Sequence, residues 1–188
     1  MWQAFIEEFP LEEYPNIVFI NKISIPFGAN HGGMRDWKHR IPKDPRIGTI
    51  NGFLPDINDF YRSLDCYCSP TAGEGYGLTL AEAMACNIPT IGSRHSGNLD
   101  FMTDENSYLV DVDDWSYVGD DPTNYLEHLV CSWQQWKLPK VESIRAQMRL
   151  VYDEKMNNIE HKKNHILEQY TVANTVAEFK EALATVGL

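Results

Sequence analysis

The sequence predicts an α/β domain built on a doubly wound parallel sheet. Runs of β-branched residues alternate with short helical segments between about residues 16 and 110, and this alternation implies parallel βαβ units. The length of 188 residues suits one domain. A hydrophobic content of 43% is enough for a core and excludes intrinsic disorder over most of the chain.

The individual elements follow from local patterns. Apolar residues at helical spacing predict a helix from Trp2 to Phe9, which Pro10 ends, and a β-branched run predicts a strand at Asn16–Ile23. Glycine and proline predict a loop at residues 24–45, with one helical turn near Trp37. The next expected elements are strands at Arg46–Asn51, Asp65–Ser69, Ile88–Gly92 and 107–110, with helices at 57–64, Leu78–Cys86 and about 97–102.

The pattern changes at about residue 122, where helical periodicity takes over. Helices are expected at 140–153, 155–169 and 172–185, with no further strand. We therefore divide a single domain into an α/β core, residues 1–121, and C-terminal helices packed on it, residues 122–188. Because doubly wound domains normally open on a strand, the opening helix predicts that the first strand lies upstream of Met1.

Composition argues against several classes of function. Sixteen basic against 27 acidic residues give a net charge of −11, which disfavours nucleic acid as a partner. The longest apolar runs are about five residues, far below the ~20 of a transmembrane helix, so a cytoplasmic protein is expected. The four cysteines lack zinc-site spacing, and Cys66 and Cys68 are expected to be free thiols on one face of a strand.

A glycine-rich loop before the helix at Leu78 carries the most chemical information. Glycines let a ligand approach the backbone, and the N–H groups at a helix start attract an anion such as phosphate. Glu74 lies in this loop, and Glu82 follows one helical turn later, facing the same cleft. Two carboxylates beside a phosphate-binding backbone suit a nucleoside diphosphate sugar. The loop glycines are Gly73, Gly75 and Gly77.

Other readings of this loop remain open. The dinucleotide-binding fingerprint would need a glycine where Leu78 stands, and no Gly-Lys-Ser/Thr of a phosphate loop follows. A glycine-rich turn before a helix is also common as a simple tight connection, and an isolated Glu82 would usually be a solvated helix residue.

The strings E-G-Y-G-L-x-x-x-E and A-M-A-C-x-x-P-T-I resemble the C-terminal lobe of GT-B-fold glycosyltransferases, especially glycosyltransferase family 4 of the group 1 type. That family places two glutamates with seven residues between them, as Glu74 and Glu82 are placed. The resemblance covers roughly residues 46–185. It extends to Tyr61–Asp65, Gly97–Val110, Ile144–Tyr152 and Tyr170–Leu183.

The resemblance implies a Rossmann-like donor-binding lobe of a retaining hexosyltransferase that binds a nucleoside diphosphate sugar and needs neither metal nor another cofactor. Glu74 would be the catalytic residue, contacting the donor sugar near the reacting carbon, and Glu82 would bind both ribose hydroxyls. Backbone N–H groups of the loop and helix start would hold the sugar and the distal phosphate. These donor-binding residues are Gly75, Tyr76, Gly77, Leu78 and Thr79, and the turn that would border the nucleobase is Asn51, Gly52, Phe53 and Leu54.

Departures from the family pattern limit the expected activity. The arginine and lysine that neutralise the leaving diphosphate should lie upstream of Met1, and the N-terminal acceptor-binding lobe is absent. The isolated chain is therefore expected to be inactive. A non-catalytic nucleotide-sugar-binding module or partner subunit is the alternative, and a GT-B epimerase or phosphorylase is a weaker one. Asn87 replaces the family's glycine and is expected to end the helix.

The sequence also gives predictions for residues outside the glycine-rich loop and the α-helix that follows it. Asp111, Asp113 and Asp114 have the spacing of an Asp-x-Asp metal site but are read as a solvated acidic loop. His95 and Ser96 follow a strand end and could line the cleft. His161 and His165 could share a helix face as polar surface. Trp133 and Trp136 are expected to pack on C-terminal helices.

Overall fold

The computed structural model of the chain describes residues 1–23, 41–117 and 135–185. The parallel α/β class predicted from the sequence is confirmed. The strands are β1 (Phe19–Ile23), β2 (Ile47–Asn51), β3 (Tyr67–Cys68), β4 (Thr90–Ser93), β5 (Tyr108–Val110), β6 (Val112–Tyr117) and β7 (Gln135–Pro139). The helices are α1 (Trp2–Glu8), α2 (Ile57–Arg62), α3 (Leu78–Ala85), α4 (Val141–Met156), α5 (Ile166–Gln169) and α6 (Val172–Thr185), with a 3₁₀ turn at Gly97–Asp100.

The parallel strands form two groups. β1 pairs with β2, and β3, β4 and β5 pair side by side in chain order. All four residues of β4 are buried, as expected for a central strand covered on both faces. Because β3, α3 and β4 form one crossover unit, the loop before α3 and the loop after β4 both lie at the carboxyl edge of the sheet.

Two hydrophobic clusters build the core around this sheet. The first joins α1 and α4 to β4 and β5, and the half-buried Cys66 and Cys68 pack against it, which fits their predicted shared face. The second lies beneath α3 and contains Leu80, Met84 and Phe101. The buried face of α3 thus anchors the helix while its opposite face stays exposed.

Charged residues attach α1 to the rest of the domain. Arg46 is buried, pairs with Asp44 at 2.7 Å and donates to the backbone oxygens of Phe9 and Tyr14. Glu8 accepts hydrogen bonds from Arg149 at 2.7 Å and Arg145 at 3.1 Å. Because a buried guanidinium must satisfy its donors, these contacts fix the chain that enters β2.

The expectation that no strand follows residue 122 is wrong. β7 pairs antiparallel with β6, which includes Asp113 and Asp114, so these acids lie on a strand and not in a loop. Trp136 accordingly lies on β7 and not on a helix. Aspartate has low β propensity, and the pairing is irregular between Val112 and Trp115, so local pattern alone conceals this two-stranded ribbon.

The predicted helix at 155–169 is also wrong. α4 ends at Met156, and only the single turn of α5 lies within that range, so His161 and His165 share no helix. Asn158 has a φ of +53°, and Ile159 N–H donates to Glu154 O at 2.8 Å, which closes the helix in a Schellman motif.

Some expectations fall outside the described residues. These are the helical turn near Trp37, most of the 24–45 loop and Trp133. Within the part that is described, none of the helices is long and apolar enough to cross a membrane.

Candidate functional site

The glycine-rich loop enters α3 through a glycine that the backbone requires. Gly77 caps the helix at a φ of +90°, a conformation that L side chains rarely adopt. A Cβ at Gly73 or Gly75 would meet no heavy atom within 4 Å, so the loop is open on that side. The first N–H groups of an α-helix have no partner within it, and those of α3 begin beside this open loop.

The predicted end of this helix is also confirmed. Asn87 has a φ of +58°, its N–H donates to Met84 O at 2.8 Å, and Ile88 N–H donates to Ala83 O at 3.1 Å. Asparagine therefore fills the left-handed position of a Schellman motif in place of glycine. This end fixes the length of α3 and hence the position of Glu82 along it.

The Glu74 carboxylate folds back onto its own loop. Its Oε1 accepts hydrogen bonds from Gly75 N–H at 3.0 Å and Gly77 N–H at 3.1 Å. Gly77 N–H is one of the groups predicted to hold the sugar and distal phosphate. An anion that uses this N–H must therefore displace the carboxylate, which would free Glu74 to bind elsewhere.

The segment that follows β4 holds the backbone of the glycine-rich loop through two hydrogen bonds between Ser96 and Glu74. Ser96 Oγ donates to Glu74 O at 2.8 Å and accepts from Glu74 N–H at 3.3 Å. Ser96 has a φ of +84°, a strained value for a serine. His95, the other residue expected to line the cleft, instead packs its ring edge-on against Trp115 at 5.2 Å. Ser96 thus positions the backbone of Glu74.

Because Gly97 has no side chain, the segment that carries Ser96 can lie close to the glycine-rich loop. A larger residue at position 97 should separate the two segments. A Cβ at Gly97 would lie 2.0 Å from the backbone oxygen of Gly75. Gly97→Ala is therefore expected to lower the free energy of unfolding by about 1–3 kcal/mol through overpacking and to displace the loop. Thermal unfolding measures the first effect, with Gly73→Ala as the control because its Cβ meets open space. Equal melting temperatures for both variants would contradict this account.

Glu82 lies on the exposed face of α3 with Leu78 and Thr79. Tyr61 of α2 donates its phenol hydrogen to Glu82 Oε2 at 2.8 Å. Tyr61 itself is buried and packs edge-on against Tyr67 at 5.4 Å. Burial, reinforced by the Glu82 hydrogen bond, raises the pKa of the Tyr61 hydroxyl, so it stays a donor. The geometry holds an exposed carboxylate in one orientation.

Tyr61→Phe tests this positioning. The resemblance implies that Glu82 binds the ribose of a nucleoside diphosphate. The variant keeps the ring packing but loses the hydrogen bond, so its affinity for such a nucleotide should fall by about 1 kcal/mol, roughly fivefold. Calorimetric titration with UDP and GDP measures it. Circular dichroism should show a native fold, and the affinity of a Glu82→Ala variant should not change further on adding Tyr61→Phe. An additional loss in that double variant would show that Tyr61 acts independently of Glu82.

The predicted nucleobase turn is exposed beside α2. Phe53 is 85% exposed, and Gly52 has a φ of +104°, which explains the glycine in this turn. Leu54 lines an open pocket of about 390 Å³ with Ile50, Pro55, Asp56, Asp59, Phe60 and Ser63. The helical residues of this pocket lie on a different face of α2 from Tyr61, so the pocket does not join the turn to Glu82.

Asp111 and Asp113 of the Asp-x-Asp segment have basic partners. Arg94 pairs with Asp104 at 2.6 Å and with Asp111 at 3.0 Å, and its guanidinium lowers the pKa of the Asp104 carboxyl. Lys140 lies 3.9 Å from Asp113. In the described ranges no group of three or more histidine, cysteine or acidic side chains could hold a metal ion.

Two of the cysteines that the structure describes, Cys66 and Cys68, are unreactive as nucleophiles. Cys66, Cys68 and Cys86 are free thiols. Burial raises the pKa of Cys68 to about 12 and also raises that of Cys66, so both remain protonated near neutral pH. A protonated thiol is a poor nucleophile and a poor metal ligand, which agrees with the expected structural role.

Sequence reasoning missed Tyr61 and Gly97 as parts of this site. The signal for Gly97 was available, because a Ser-Gly pair follows β4 at the same sheet edge as the glycine-rich loop. The pairing of Tyr61 with Glu82 joins residues 21 positions apart on two helices, and no local pattern encodes it.

The model of the family described as glycosyl transferases group 1 matches residues 29–128, which include the glycine-rich loop, α3 and Ser96. Among curated proteins, the lipopolysaccharide core biosynthesis mannosyltransferase LpsB of Rhizobium meliloti is 29% identical over 75 residues, 38% of this chain and 21% of LpsB.

Solved structures share the fold at low sequence identity. Anabaena Alr3699/HepE in complex with UDP-glucose superimposes with a TM-score of 0.66 at 13% identity, covering 97% of this chain and 43% of HepE. The C-terminal domain of the group 1 family protein LpcC from Francisella tularensis gives 0.58 at 22% identity, covering 90% of this chain and 79% of that domain. This chain thus spans less than half of HepE and about four-fifths of the isolated LpcC domain, and the fold is the Rossmann-like lobe of GT-B proteins.

Proposed function

This chain belongs to the glycosyltransferase group 1 family, and we propose that it is the donor-binding lobe of a retaining hexosyltransferase. Its proposed donor is a nucleoside diphosphate sugar. The observation that carries the proposal is the joint geometry of Glu74, the helix start at Gly77 and Glu82. These groups follow one another along the glycine-rich loop and α3, and we propose that the sugar, the phosphates and the ribose bind to them in that order.

The chemistry of each group supports its role. The N–H groups that begin α3 and the positive end of its dipole would hold the distal phosphate. Glu74 would exchange its contacts with Gly75 and Gly77 N–H for hydroxyls of the sugar next to the reacting carbon. Glu82, oriented by Tyr61, would accept hydrogen bonds from both ribose hydroxyls, and the Asn51–Leu54 turn would border the base.

Similarity to proteins of known ligand supports the donor class. The Anabaena protein was solved in complex with UDP-glucose and with UDP, and the curated relative is named a mannosyltransferase. We propose a hexose donor for this chain on the same fold. The base and the hexose stay open, so the probes are UDP-glucose and GDP-mannose.

Transfer also requires an acceptor held in line and charge stabilisation on the leaving diphosphate. We propose that these functions belong to an N-terminal acceptor-binding lobe, and that the isolated chain binds donor without transferring sugar. The test is transfer of labelled sugar from each donor to simple glycosides, with Glu74→Ala as the background. Donor binding without transfer supports the proposal, transfer above that background contradicts the lobe requirement, and absence of donor binding contradicts the donor site.

Metal independence is a separate prediction. We expect EDTA to leave the dissociation constant of the bound donor unchanged, because Asp111 pairs with Arg94 and Asp113 lies near Lys140 in place of a metal ion. Calorimetry with and without the chelator measures this. Binding that EDTA abolishes and Mn²⁺ restores would favour the Asp-x-Asp metal site instead.

A further inference from the structure

The β6–β7 ribbon has an exposed face that the proposed donor site does not use. On β6, Trp115 is 55% exposed and Tyr117 is 50% exposed. Lys137 of β7 lies directly opposite Trp115, and Gln135 lies directly opposite Tyr117. Directly opposed residues of an antiparallel pair place their side chains on one face. These four residues are called the aromatic ribbon face below.

The aromatic ribbon face adjoins the glycine-rich loop. Lys137 N–H donates to the backbone oxygen of Ala72 at 3.3 Å, two residues before Glu74. On the other side, the His95 ring meets the Trp115 ring at 5.2 Å, and His95 precedes the Ser96 that holds the Glu74 backbone. The ribbon therefore contacts both segments that meet at Glu74, the sugar end of the proposed donor site. It contacts the glycine-rich loop through Ala72 and the Ser96 segment through His95.

The order of elements explains this position. β6 begins two residues after β5 ends, and β5 runs parallel to β4. The ribbon therefore leaves from the carboxyl edge of the sheet, where ligands bind in open α/β folds. Lys137 also lies with its Nζ 5.1 Å from the centre of the Trp115 ring, a cation–π contact that orients the ring.

We propose that the aromatic ribbon face binds a neutral saccharide. Indole and phenol rings offer flat apolar surface to the C–H face of a sugar ring, while their polar edges remain available for hydrogen bonds. The Gln135 amide and the Lys137 ammonium can bond to the hydroxyls at the ring edge.

The composition of the face favours a saccharide over a second protein chain. Each partner of a stable protein interface contributes roughly 20–30 residues, whereas this face consists of two rings with polar neighbours. The exposed acids Asp113 and Asp114 on the same strand disfavour an anionic ligand. A saccharide ring matches both the size and the charge of the face.

Saturation-transfer NMR on the full chain tests this site with methyl α-D-glucopyranoside, methyl α-D-mannopyranoside and maltose as probes. We expect saturation transfer to at least one probe. Trp115→Ala should raise its dissociation constant roughly tenfold, the size of effect that truncating a well-placed aromatic anchor produces. Tyr117→Ala should raise it less. Trp115→Leu, which keeps apolar bulk without a ring, should match Trp115→Ala and guards against misfolding of the alanine variant.

The control is Phe179→Ala, which removes a 64% exposed aromatic side chain from α6, away from the ribbon, and should leave probe binding unchanged. UDP and GDP binding should be the same in all four variants and the parent. Absence of transfer to every probe, or equal loss in Phe179→Ala, overturns the saccharide site alone. A Trp115-dependent change of oligomeric state in size-exclusion chromatography overturns it in favour of an interface between copies. If the parent chain binds neither UDP nor GDP, the proposed function is contradicted, and the saccharide site is not.

Discussion

Glu82→Ala is expected to weaken binding of free UDP or GDP by about 1–3 kcal/mol, a range that spans an ordinary hydrogen bond and one to a charged group. That corresponds to roughly a 5- to 150-fold rise in the dissociation constant. The reason is that ribose contacts exist whether or not a sugar is attached, and Tyr61 already holds the Glu82 carboxylate in place at 2.8 Å. Isothermal titration calorimetry measures the change.

The matched comparison is Glu74→Ala with the same free nucleotides. Because the Glu74 carboxylate accepts from Gly75 and Gly77 N–H in this structure, its removal exposes donors that a phosphate could use. Nucleotide affinity should therefore stay the same or increase. A loss in Glu74→Ala as large as that in Glu82→Ala would show that the two carboxylates do not divide the donor as proposed.

With the intact donor, Glu74→Ala is expected to remove the contribution of the sugar to binding. The parent should bind UDP-glucose or GDP-mannose more tightly than the corresponding diphosphate, and the variant should bind both alike. One lost charged hydrogen bond contributes about 1.5–3 kcal/mol, so the expected loss is roughly 10- to 150-fold. Competition between the sugar nucleotide and its diphosphate measures this difference directly.

Glu74→Gln refines this result. The amide keeps the size of the side chain but loses its charge, so it should retain part of the discrimination between sugar nucleotide and diphosphate. Thermal unfolding should verify that Ser96 still fixes the loop in each variant. A parent chain that does not distinguish the sugar nucleotide from its diphosphate would refute the assignment of Glu74 to the sugar.

The sequence predicts the glycine-rich loop and α3 closely because local signals mark both ends. Gly77 stands where a positive φ is needed, and Asn87 takes the left-handed position that closes the helix. The two carboxylates follow from their spacing along this one segment. Such features depend on residues close together in the chain, which is why a single sequence is enough to find them.

The features that the sequence does not predict depend on contacts between distant segments. The β6–β7 ribbon joins strands separated by 17 residues that the structure does not describe, and its Asp113 and Asp114 disfavour a strand locally. The Glu74 carboxylate accepts hydrogen bonds from Gly75 and Gly77 N–H, and these contacts depend on the path that the loop backbone takes. The end of α4 was predictable in principle from Asn157 and Asn158, a pair suited to a helix terminus.

The central claim is that a sugar nucleotide binds between the glycine-rich loop and Glu82. The most direct measurement is a titration of ¹⁵N-labelled chain with UDP-glucose and GDP-mannose, followed by amide chemical shifts. We expect at least one donor to shift the Gly75–Thr79 amides most, Glu82→Ala to reduce this response, and Phe179→Ala to leave it unchanged. Shifts confined to the pocket between Leu54 and Ser63, or no response to either donor, would contradict it.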